Sequence, residues 1–343
     1  MNRSARPAQR SPSPRWIGLD VGGANLKAAL STGAAWSEAF ELWRRPLQLA
    51  DAIGRLLTGP VAEPAAGIAL TMTGELADCY RTKADGVRAI VDATRSAAAG
   101  RPVRVAAVDD RWLSPAEAAD TPHLVAAANW RLAARWCAAR WIDGVWVDVG
   151  STTADLIAFG GGRVESQGAT DPERLTTREL VYQGVGRTPV CAVVRELPLH
   201  GRPCPVAAEL FATTADAWVL LGEAPEDPST DRTADGRPLT RAFARERLAR
   251  VVCADGSSFT DADARHAAAA VAEAQERALC EALALRPRRG TLVVSGAGEF
   301  LALRAAARGW GQGVRRISHT LGEPASRCFP AYAAAALAER ESD

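Results

Sequence analysis

The 343-residue chain is longer than one hydrophobic core usually serves, so its length predicts two domains. Its residues are 48% apolar and 24% charged, which is typical of a globular protein with a soluble surface. A formal net charge of +1 provides no overall field for nucleic acid or an anionic membrane, and no apolar run approaches the ~20 residues that span a bilayer. These features exclude nucleic-acid and membrane partners and leave small molecules as the expected ones.

The amino-terminal segment 1–14 carries three arginines among serines and prolines. It lacks the apolar stretch of a secretory signal, so we expect a disordered tail on a cytoplasmic protein. The seven cysteines are scattered without a C-x-x-C pair, and the four histidines are equally isolated. This spacing favours free thiols and structural histidines over a zinc or redox site.

Residues 16–30 predict a first hairpin. An apolar run from Trp16 ends at Asp20, the chain passes Gly22 and Gly23, and a second apolar run follows. We attribute the glycines to a tight turn with positive φ, where a residue without Cβ is unstrained. Backbone N–H groups of such a turn can bind an anion, and an aspartate beside it can hold Mg²⁺. A hairpin of this kind also occurs without a ligand, so the motif alone is a weak signal.

The region between residues 36 and 108 predicts alternating strands and helices. The predicted elements are a strand at 36–43, a helix at 46–57, a strand at 67–71, a helix at 84–98 and a strand at 103–108. The strand at 67–71 runs into a polar turn that contains Thr71, Thr73 and Glu75. Ligands of open α/β sheets bind outside the carboxyl ends of strands, so these three residues are site candidates. The alternative is a helix N-cap with an acidic residue in the first turn.

Residues 126–141 predict a strong helix with several tryptophans near one face. Asn129 and Trp130 lie near its start and are candidates for substrate binding. Packing in the core is the alternative role for the tryptophans.

A second hairpin is predicted at residues 145–157 and repeats the pattern of the first. An apolar run ends at Asp148, the turn contains Gly150, Ser151, Thr152 and Thr153, and the next run contains Asp155. Further on, a glycine loop at 183–189 carries Arg187, which could bind a carboxylate or phosphate or could simply be solvated.

The remaining predictions alternate helices with loops until a third glycine turn. The predicted elements are a strand at 163–166, a helix from 170, a helix at 207–221, a loop or lid at 225–238, helices at 240–253 and 261–286, a strand leading into a helix at 292–301, a strand at 314–317 and a helix from about 330. The third glycine turn contains Gly296 and Gly298 and suits a phosphate or nucleoside at a helix N-terminus.

Asp20 and Asp148 occupy equivalent positions in the two hairpins. Two carboxylates that converge on one site would hold Mg²⁺ against a polyphosphate. The candidate phosphate-binding residues are Gly22, Gly23, Asn25, Lys27, Gly150, Ser151, Thr152, Thr153, Gly296 and Gly298. Lys27 would be only a surface cation if its side chain pointed to the far face of the sheet.

The order of the three motifs resembles the acetate/sugar kinase, Hsp70 and actin superfamily. The resemblance implies an α/β protein with two facing actin-like (ribonuclease H-like) domains and a cleft between them. We expect the first domain at 15–142, the second with a helical insertion at 143–328, and a carboxyl-terminal helix at 329–343 that packs back on the first domain. Ala24 stands where many members carry serine or threonine, which argues against ordinary γ-phosphoryl transfer.

Three longer stretches, 71–78, 127–136 and 171–191, resemble the hydantoinase/oxoprolinase-like family linked to tetrahydromethanopterin one-carbon metabolism. This resemblance implies methanofuran or methylofuran biosynthesis, in which a furanmethanamine diphosphate is joined to the phenol of tyramine or γ-glutamyltyramine and pyrophosphate is released. Mg²⁺ would be the cofactor, and ATP is possible but not required. A carboxylate would take the phenol proton, and Asp148, Asp155 and Glu75 are the candidates.

Two other functions remain open at this stage. One is an ATP-dependent small-molecule kinase or oxoprolinase-like amidohydrolase. The other is a nucleotide-dependent switch that works through partners, against which we find no separate peptide-binding domain. Homo-oligomerisation is possible on this sequence.

Overall fold

The computed structural model describes residues 16–59, 65–311 and 313–342, and the predicted tail at 1–14 lies outside this part. The chain forms two compact units, residues 16–133 with 330–342 and residues 134–329. Both boundaries between the units fall inside helices. The first, between residues 133 and 134, comes slightly before the boundary expected at 142–143. The carboxyl-terminal segment groups with the first unit.

The first unit contains a six-stranded mixed sheet. Its strands are β1 (Trp16–Val21), β2 (Asn25–Leu30), β3 (Ala35–Ala39), β4 (Gly67–Met72), β5 (Val103–Ala106) and β6 (Trp112–Leu113). They lie in the order β3-β2-β1-β4-β5-β6, with β1 antiparallel to β2 and parallel to β4. β1 and β4 are buried along their whole length, as the continuous apolar runs predicted.

Helices cover this sheet. They are α1 (Leu49–Leu57), preceded by a 3₁₀ turn at Pro46–Gln48, α2 (Lys83–Ala97), α3 (Pro115–Asp120), α4 (Pro122–Val125) and α5 (Asn129–Ala138). Thr82 caps α2 by accepting a hydrogen bond from the Asp85 N–H, 3.1 Å away. The carboxyl-terminal helix approaches β1 closely at Gly18, where a Cβ would lie 1.7 Å from the Ala331 carbonyl oxygen. Only a glycine at this strand position lets the helix backbone come so near.

The second unit repeats the central arrangement of the first. Its strands are β7 (Asp143–Val149), β8 (Ala154–Gly160), β9 (Arg163–Val164), β10 (Leu180–Val181), β11 (Glu196–Leu199), β12 (Arg202–Pro205), β13 (Thr291–Ser295) and β14 (Val314–Arg316). The main sheet has the order β10-β8-β7-β13-β14, with β9 also paired to β8, while β11 and β12 form a separate ribbon. The antiparallel pair β7–β8 and the parallel pair β7–β13 correspond to β1–β2 and β1–β4. Both predicted hairpins are therefore confirmed, each at the centre of its own sheet.

The helices of the second unit pack on this sheet and on one another. They are α6 (Asp171–Thr176), α7 (Val190–Val193), α8 (Thr214–Leu221), α9 (Arg241–Val251), α10 (Asp261–Ala284), α11 (Glu299–Gly309), α12 (Ile317–Leu321) and α13 (Glu323–Arg327). The carboxyl-terminal helix α14 (Phe329–Arg340) belongs to the first unit from Pro330 onward. The helix predicted at 207–221 begins only at Thr214, because Thr213 and Asp216 form a capping box that fixes the helix start there. In the described ranges, no helix has both the length and the apolar character needed to cross a membrane.

The segment predicted as a loop or lid is a loop that is fastened at both ends. Asp227 and Leu239 exchange two backbone hydrogen bonds of 2.8 and 3.1 Å. Arg247, fully buried on α9, donates to Asp216 at 2.8 Å and to Asp235 in the loop at 3.0 Å. Breaking a buried ion pair of this kind is costly, so the structure favours a fixed loop over a lid.

Candidate functional site

The first hairpin presents Asp20 at the end of β1. Asp20 is 4% exposed and stands in register with Lys27 on β2 and Thr71 on β4. Register partners on adjacent strands project from the same face of a sheet. Lys27 therefore shares the Asp20 face and does not point to the far side of the sheet.

The glycines of this hairpin serve a different purpose from the one expected. In the described chain, Gly22 and Gly23 are not among the residues with positive φ, so that part of the prediction is wrong. A Cβ at Gly22 would instead lie 2.9 Å from the Asn25 carbonyl oxygen, to which the Gly22 N–H donates at 3.0 Å. Glycine is needed here for close approach within the turn. The Gly22 amide closes the hairpin, so phosphate binding by this amide would have to compete with that bond.

The turn after β4 is tied to the first hairpin. The N–H groups of Thr73 and Gly74 both donate to the Val21 carbonyl at 2.9 Å. Thr71 is fully buried, and its hydroxyl has no hydrogen-bond partner within the part of the chain that the structure describes. Thr73 is exposed beside Gly22. The structure thus places Thr71 in register with Asp20 and Thr73 beside Gly22, and their role in binding stays a prediction.

Glu75 follows the same turn and is 1% exposed. The Lys83 ammonium of α2 lies 3.9 Å from its carboxylate. A Cβ at Gly86 would lie 2.1 Å from the Glu75 carbonyl oxygen, so α2 packs directly against the Glu75 backbone. Helix α2 thereby fixes Glu75 in the first unit.

Asn129 and Trp130 open α5. The Asn129 side chain accepts a hydrogen bond from the Trp130 N–H at 2.8 Å. Trp130 is 1% exposed, which favours a packing role over the predicted contact with substrate.

In the second unit, Asp148 stands in register with Asp155 on β8 and Ser295 on β13. The Ser295 hydroxyl donates to the Asp148 carboxylate, and the Trp146 indole N–H donates to the Ser295 oxygen at 2.9 Å. Burial raises the pKa of the Cys137 thiol on α5 well above its usual value. The positive charge of Arg140 lowers this pKa, and the negative charge of Asp148 raises it further. Sequence reasoning missed Ser295, because its partner Asp148 lies on a strand that is distant in the chain.

Asp155 forms a buried ion pair with Arg174 of α6. Arg174 is 2% exposed and also lies 3.6 Å from Asp171. The Asp155 carboxylate is thus already engaged within the second unit. This pairing makes Asp155 the least suited of the three predicted proton acceptors, although that role stays a prediction for all of them.

The glycine loop at 183–189 lies directly on the second hairpin. The Val185 N–H donates to the Gly150 carbonyl at 3.0 Å, and the N–H groups of Gly186 and Arg187 donate to the Ser151 carbonyl at 3.0 and 2.8 Å. In a trans peptide the C=O and the following N–H point in opposite directions. The N–H groups of Ser151 and Thr152 therefore point away from this loop.

This loop is fastened from the core of the second unit. The Gly184 carbonyl accepts hydrogen bonds from Gln275 at 2.9 Å and from the Thr214 hydroxyl at 2.8 Å, and Trp218 in turn donates to Gln275 at 2.8 Å. A Cβ at Gly184 would lie 2.4 Å from hairpin backbone atoms of Ser151 and Thr152. The loop thus holds the exposed Arg187 beside the second hairpin, where it was predicted to bind substrate.

The amides of Gly150 and of the third glycine turn also donate hydrogen bonds within the protein. The Gly150 N–H closes the second hairpin on the Thr153 carbonyl at 2.8 Å, as Gly22 does in the first. Gly298 donates to the Val149 carbonyl at 2.8 Å, and Gly296, with a φ of +95°, donates to the Ser326 carbonyl at 3.1 Å. These glycines let the third turn pack tightly on the second hairpin, and phosphate binding by their amides stays a prediction.

The turns after β4 and β13 are equivalent in a way that sequence reasoning missed. Gly74 donates to Val21 as Gly298 donates to Val149, and each glycine precedes a buried glutamate, Glu75 or Glu299. Glu299 accepts hydrogen bonds from the hydroxyls of Ser318 and Ser326, both at 2.6 Å, and thereby joins α11 to α12 and α13. The shared Gly-Glu pair after a buried strand was the available signal.

Asp20 and Asp148 are the residues predicted to hold Mg²⁺. In the described ranges, no group of three or more histidine, cysteine or acidic side chains could bind a metal ion by itself. A site made of two carboxylates would take its remaining oxygen ligands from phosphate and water, as Mg²⁺ sites commonly do. The convergence of the two aspartates on one ion stays a prediction.

Comparison with known proteins gives consistent results. A sequence model of the hydantoinase/oxoprolinase family matches residues 67–341. The chain is 31% identical over 334 residues, 95% of its length and 98% of the relative's, to the (4-{4-[2-(gamma-L-glutamylamino)ethyl]phenoxymethyl}furan-2-yl)methanamine synthase of Methanocaldococcus jannaschii. The enzyme of the same name from Methanococcus vannielii is 35% identical over 109 residues, which cover 32% of this chain and 49% of that one.

Among solved structures, nucleotide-free acetone carboxylase aligns with 94% of this chain and 70% of its own, with a TM-score of 0.55 at 11% identity. With the repeated strand order of the two units, this likeness supports the predicted actin-like, two-domain α/β fold. The family match covers most of the chain and the full-length relative covers nearly all of it. The chain therefore belongs to the hydantoinase/oxoprolinase family.

Proposed function

We propose that this chain is an enzyme of methanofuran or methylofuran biosynthesis. In this proposal it joins a furanmethanamine diphosphate to the phenol of tyramine or γ-glutamyltyramine, forms an aryl–alkyl ether and releases pyrophosphate. The name of the relative from Methanocaldococcus jannaschii describes a product with a phenoxymethyl link to a furan ring, which is the ether that this reaction makes.

The reaction balances without ATP. The bond between the furfuryl carbon and the diphosphate oxygen breaks, and its electron pair leaves with pyrophosphate. The phenol oxygen forms the new bond to the same carbon, and the phenol proton passes to a carboxylate. Because negative charge develops on the leaving group, positioned N–H donors and cations would lower the barrier most.

The observation that carries this proposal is the fixation of the second hairpin by the 183–189 loop. Three loop amides hold the carbonyls of Gly150 and Ser151, so the amides of Ser151 and Thr152 point outward together. Adjacent outward amides form an anion-binding concavity, and the hydroxyls of Ser151 and Thr152 lie 3.5 Å apart beside them. Arg187 belongs to the loop that holds this hairpin and is exposed beside it. This arrangement suits a departing pyrophosphate as well as it suits a nucleotide phosphate.

The oxygen atoms of Asp20 and Thr71 in the first unit are suited to Mg²⁺. Thr71 offers a buried hydroxyl without a partner in the described part of the chain, next to the carboxylate of Asp20, and both are oxygen ligands of the kind that hard cations prefer. Asp20 and Asp148 would hold the ion, which when bound neutralises charge on the diphosphate. Lys27, on the same face as Asp20, would add a further positive charge.

The remaining requirement is a proton acceptor for the phenol. Asp155 is engaged with Arg174, which leaves Asp148 and Glu75 as the better candidates. Glu75 is almost fully buried, and the Lys83 ammonium lies 3.9 Å from its carboxylate.

The test is product formation by the purified protein. With Mg²⁺, furanmethanamine diphosphate and tyramine or γ-glutamyltyramine, we expect pyrophosphate and ether in equal amounts, measured by a coupled phosphate assay and mass spectrometry. Removing the metal with EDTA should stop the reaction, and added Mg²⁺ should restore it. Asp148→Asn should lower the rate about a hundredfold or more. Asp92→Asn is the matched control, since the Asp92 side chain is 70% exposed on α2, and it should leave the rate unchanged.

Two outcomes would contradict the proposal. Turnover of ATP by the protein alone would favour an ATP-dependent kinase or amidohydrolase. Pyrophosphate release without the phenol, and without ether, would indicate a diphosphate hydrolase.

A further inference from the structure

A buried chain of two hydrogen bonds ends on the carboxylate of Asp148. The indole N–H of Trp146 donates to the Ser295 oxygen at 2.9 Å, and the Ser295 hydroxyl donates to Asp148 Oδ1. Trp146 and Ser295 are both fully buried, and the three residues come from two neighbouring strands, β7 and β13.

The direction of this chain is fixed by chemistry. An indole N–H can only donate, so it occupies an acceptor position of the serine oxygen. The single hydroxyl hydrogen of Ser295 is then committed to Asp148, an ionisable group that accepts strongly. One oxygen of the carboxylate is thereby held, and rotation of the carboxylate about its χ2 angle is restricted.

The equivalent positions in the first unit carry different residues. Gly18 stands where Trp146 stands, because Asp20 and Asp148 each follow it by two residues and occupy the same place in their hairpins. Thr71 replaces Ser295 in register, and its hydroxyl finds no partner among the described residues. The Trp146–Ser295 pair therefore belongs to the second unit, and the repeated sheet topology alone does not require it.

We propose that Ser295 is the positioning residue for Asp148, and that Trp146 acts on Asp148 through Ser295. The inference rests on the proposed function, in which Asp148 faces the reacting diphosphate. Ser295 contacts no substrate in this scheme. It keeps the carboxylate in the orientation that the reaction needs, which affects turnover more than binding.

Ser295→Ala removes the donor to Asp148. We expect kcat for ether formation to fall about ten- to a hundredfold, the range for a lost hydrogen bond to a charged group, while KM for the furan diphosphate changes less than about threefold. Ser295→Thr should retain most of kcat, because threonine keeps a hydroxyl that can donate to Asp148. A residue that served only packing would not require a hydroxyl.

Trp146→Phe keeps an aromatic ring but removes the N–H. We expect kcat to fall about fivefold, as for a typical neutral hydrogen bond, and no further fall when the change is added to Ser295→Ala. Trp36→Phe is the matched control, since it removes an indole bond of 2.8 Å to the Leu56 carbonyl in the first unit and should leave kcat unchanged. Thermal unfolding of each variant shows whether stability alone accounts for a loss.

A spectroscopic readout tests the hydrogen bond without turnover. The indole ¹H–¹⁵N resonance of Trp146 is identified by its absence in Trp146→Phe and should move upfield in Ser295→Ala.

The outcomes separate this inference from the proposed function. If Asp148→Asn retains activity, the proposed role of Asp148 fails. If Asp148→Asn is inactive while Ser295→Ala keeps full kcat, the positioning role is wrong and the proposed function stands. Additive losses of kcat for Trp146→Phe and Ser295→Ala would show that the tryptophan does not act through the serine.

Discussion

Three glycines of the candidate site lie where two segments of the chain approach each other closely. At Gly22, Gly184 and Gly298 a Cβ would lie within 3.0 Å of another group, so each glycine marks a place where two segments of the site come together. Sequence reasoning selected Gly22 and Gly298 for phosphate binding, which stays a prediction, and did not foresee these close contacts. The two roles share one sequence signal, because a missing side chain allows either a ligand or another backbone to approach. Only the spatial neighbours distinguish them.

Gly184→Ala tests the contact between the 183–189 loop and the second hairpin. The added Cβ would lie 2.4 Å from backbone atoms of Ser151 and Thr152, which cannot move aside as a flexible side chain would. We expect ether formation to fall about a hundredfold, the cost of a displacement of about 1 Å at a reacting group. Product formation under saturating substrates is the measurement. Gly256→Ala has no atom within 4 Å of the added Cβ and should retain full activity, whereas equal activity in both variants would remove the loop from the site.

Among the elements, hairpins and long helices were predictable, and the β11–β12 ribbon was not. The hairpins carry continuous apolar runs around small turn residues, and α10 carries a capping signal at Thr260 and Asp263. The ribbon contains Pro198, Pro203 and Pro205, which resemble loop residues because proline lacks the N–H of a paired strand. The sequence therefore predicts no element between the 183–189 loop and the helix at 207–221. The contacts of the 183–189 loop were likewise unpredictable, since they join it to residues of separate elements.

Asp263 connects the ribbon to α10 and makes the stability of this contact depend on pH. Its carboxylate accepts hydrogen bonds from Thr260 and from the His200 N–H, which lower its pKa from 3.8 to about 2. A carboxylate with a lowered pKa in the folded state stabilises the protein above pH 4, and this contribution is lost as the pH falls towards 2. Asp263→Asn should therefore lower the Tm at pH 7 by a few degrees, with a difference that shrinks as the pH falls below 4.

Calorimetry across this pH range measures the effect. Asp92→Asn, on the surface of α2, should leave the Tm unchanged at neutral pH. A Tm difference for Asp263→Asn that stayed constant down to pH 2 would contradict the assigned cause.

At the scale of the whole molecule, the chain repeats one sheet topology in two units. The repeated hairpins predicted this from the sequence, because the same order of strand, aspartate, small turn and strand occurs twice. The exact dividing points were not predictable, since they fall inside α5 and α14, whose periodicity continues across them. A helix has no local signal for the place where its packing partner changes.

Gly18→Ala tests how the carboxyl-terminal helix completes the first unit. The added Cβ would lie 1.7 Å from the Ala331 carbonyl oxygen, so α14 would have to shift on β1. We expect the free energy of unfolding to fall by about 1–3 kcal/mol, as for overpacking in a core. Gly54→Ala, on α1 with no atom within 4 Å of the added Cβ, should raise it by about 0.5–1 kcal/mol. Urea denaturation measures both, and similar values for the two variants would contradict the close approach.

The contact between Gly18 and Ala331 also sets an order of events during protein synthesis. β1 is synthesised before residues 134–329, and its packing partner Ala331 is synthesised after them. All of residues 134–329 have been made by then, whereas the earlier-made unit still waits for its closing helix. The first unit can therefore close only after the whole of the second unit has been synthesised.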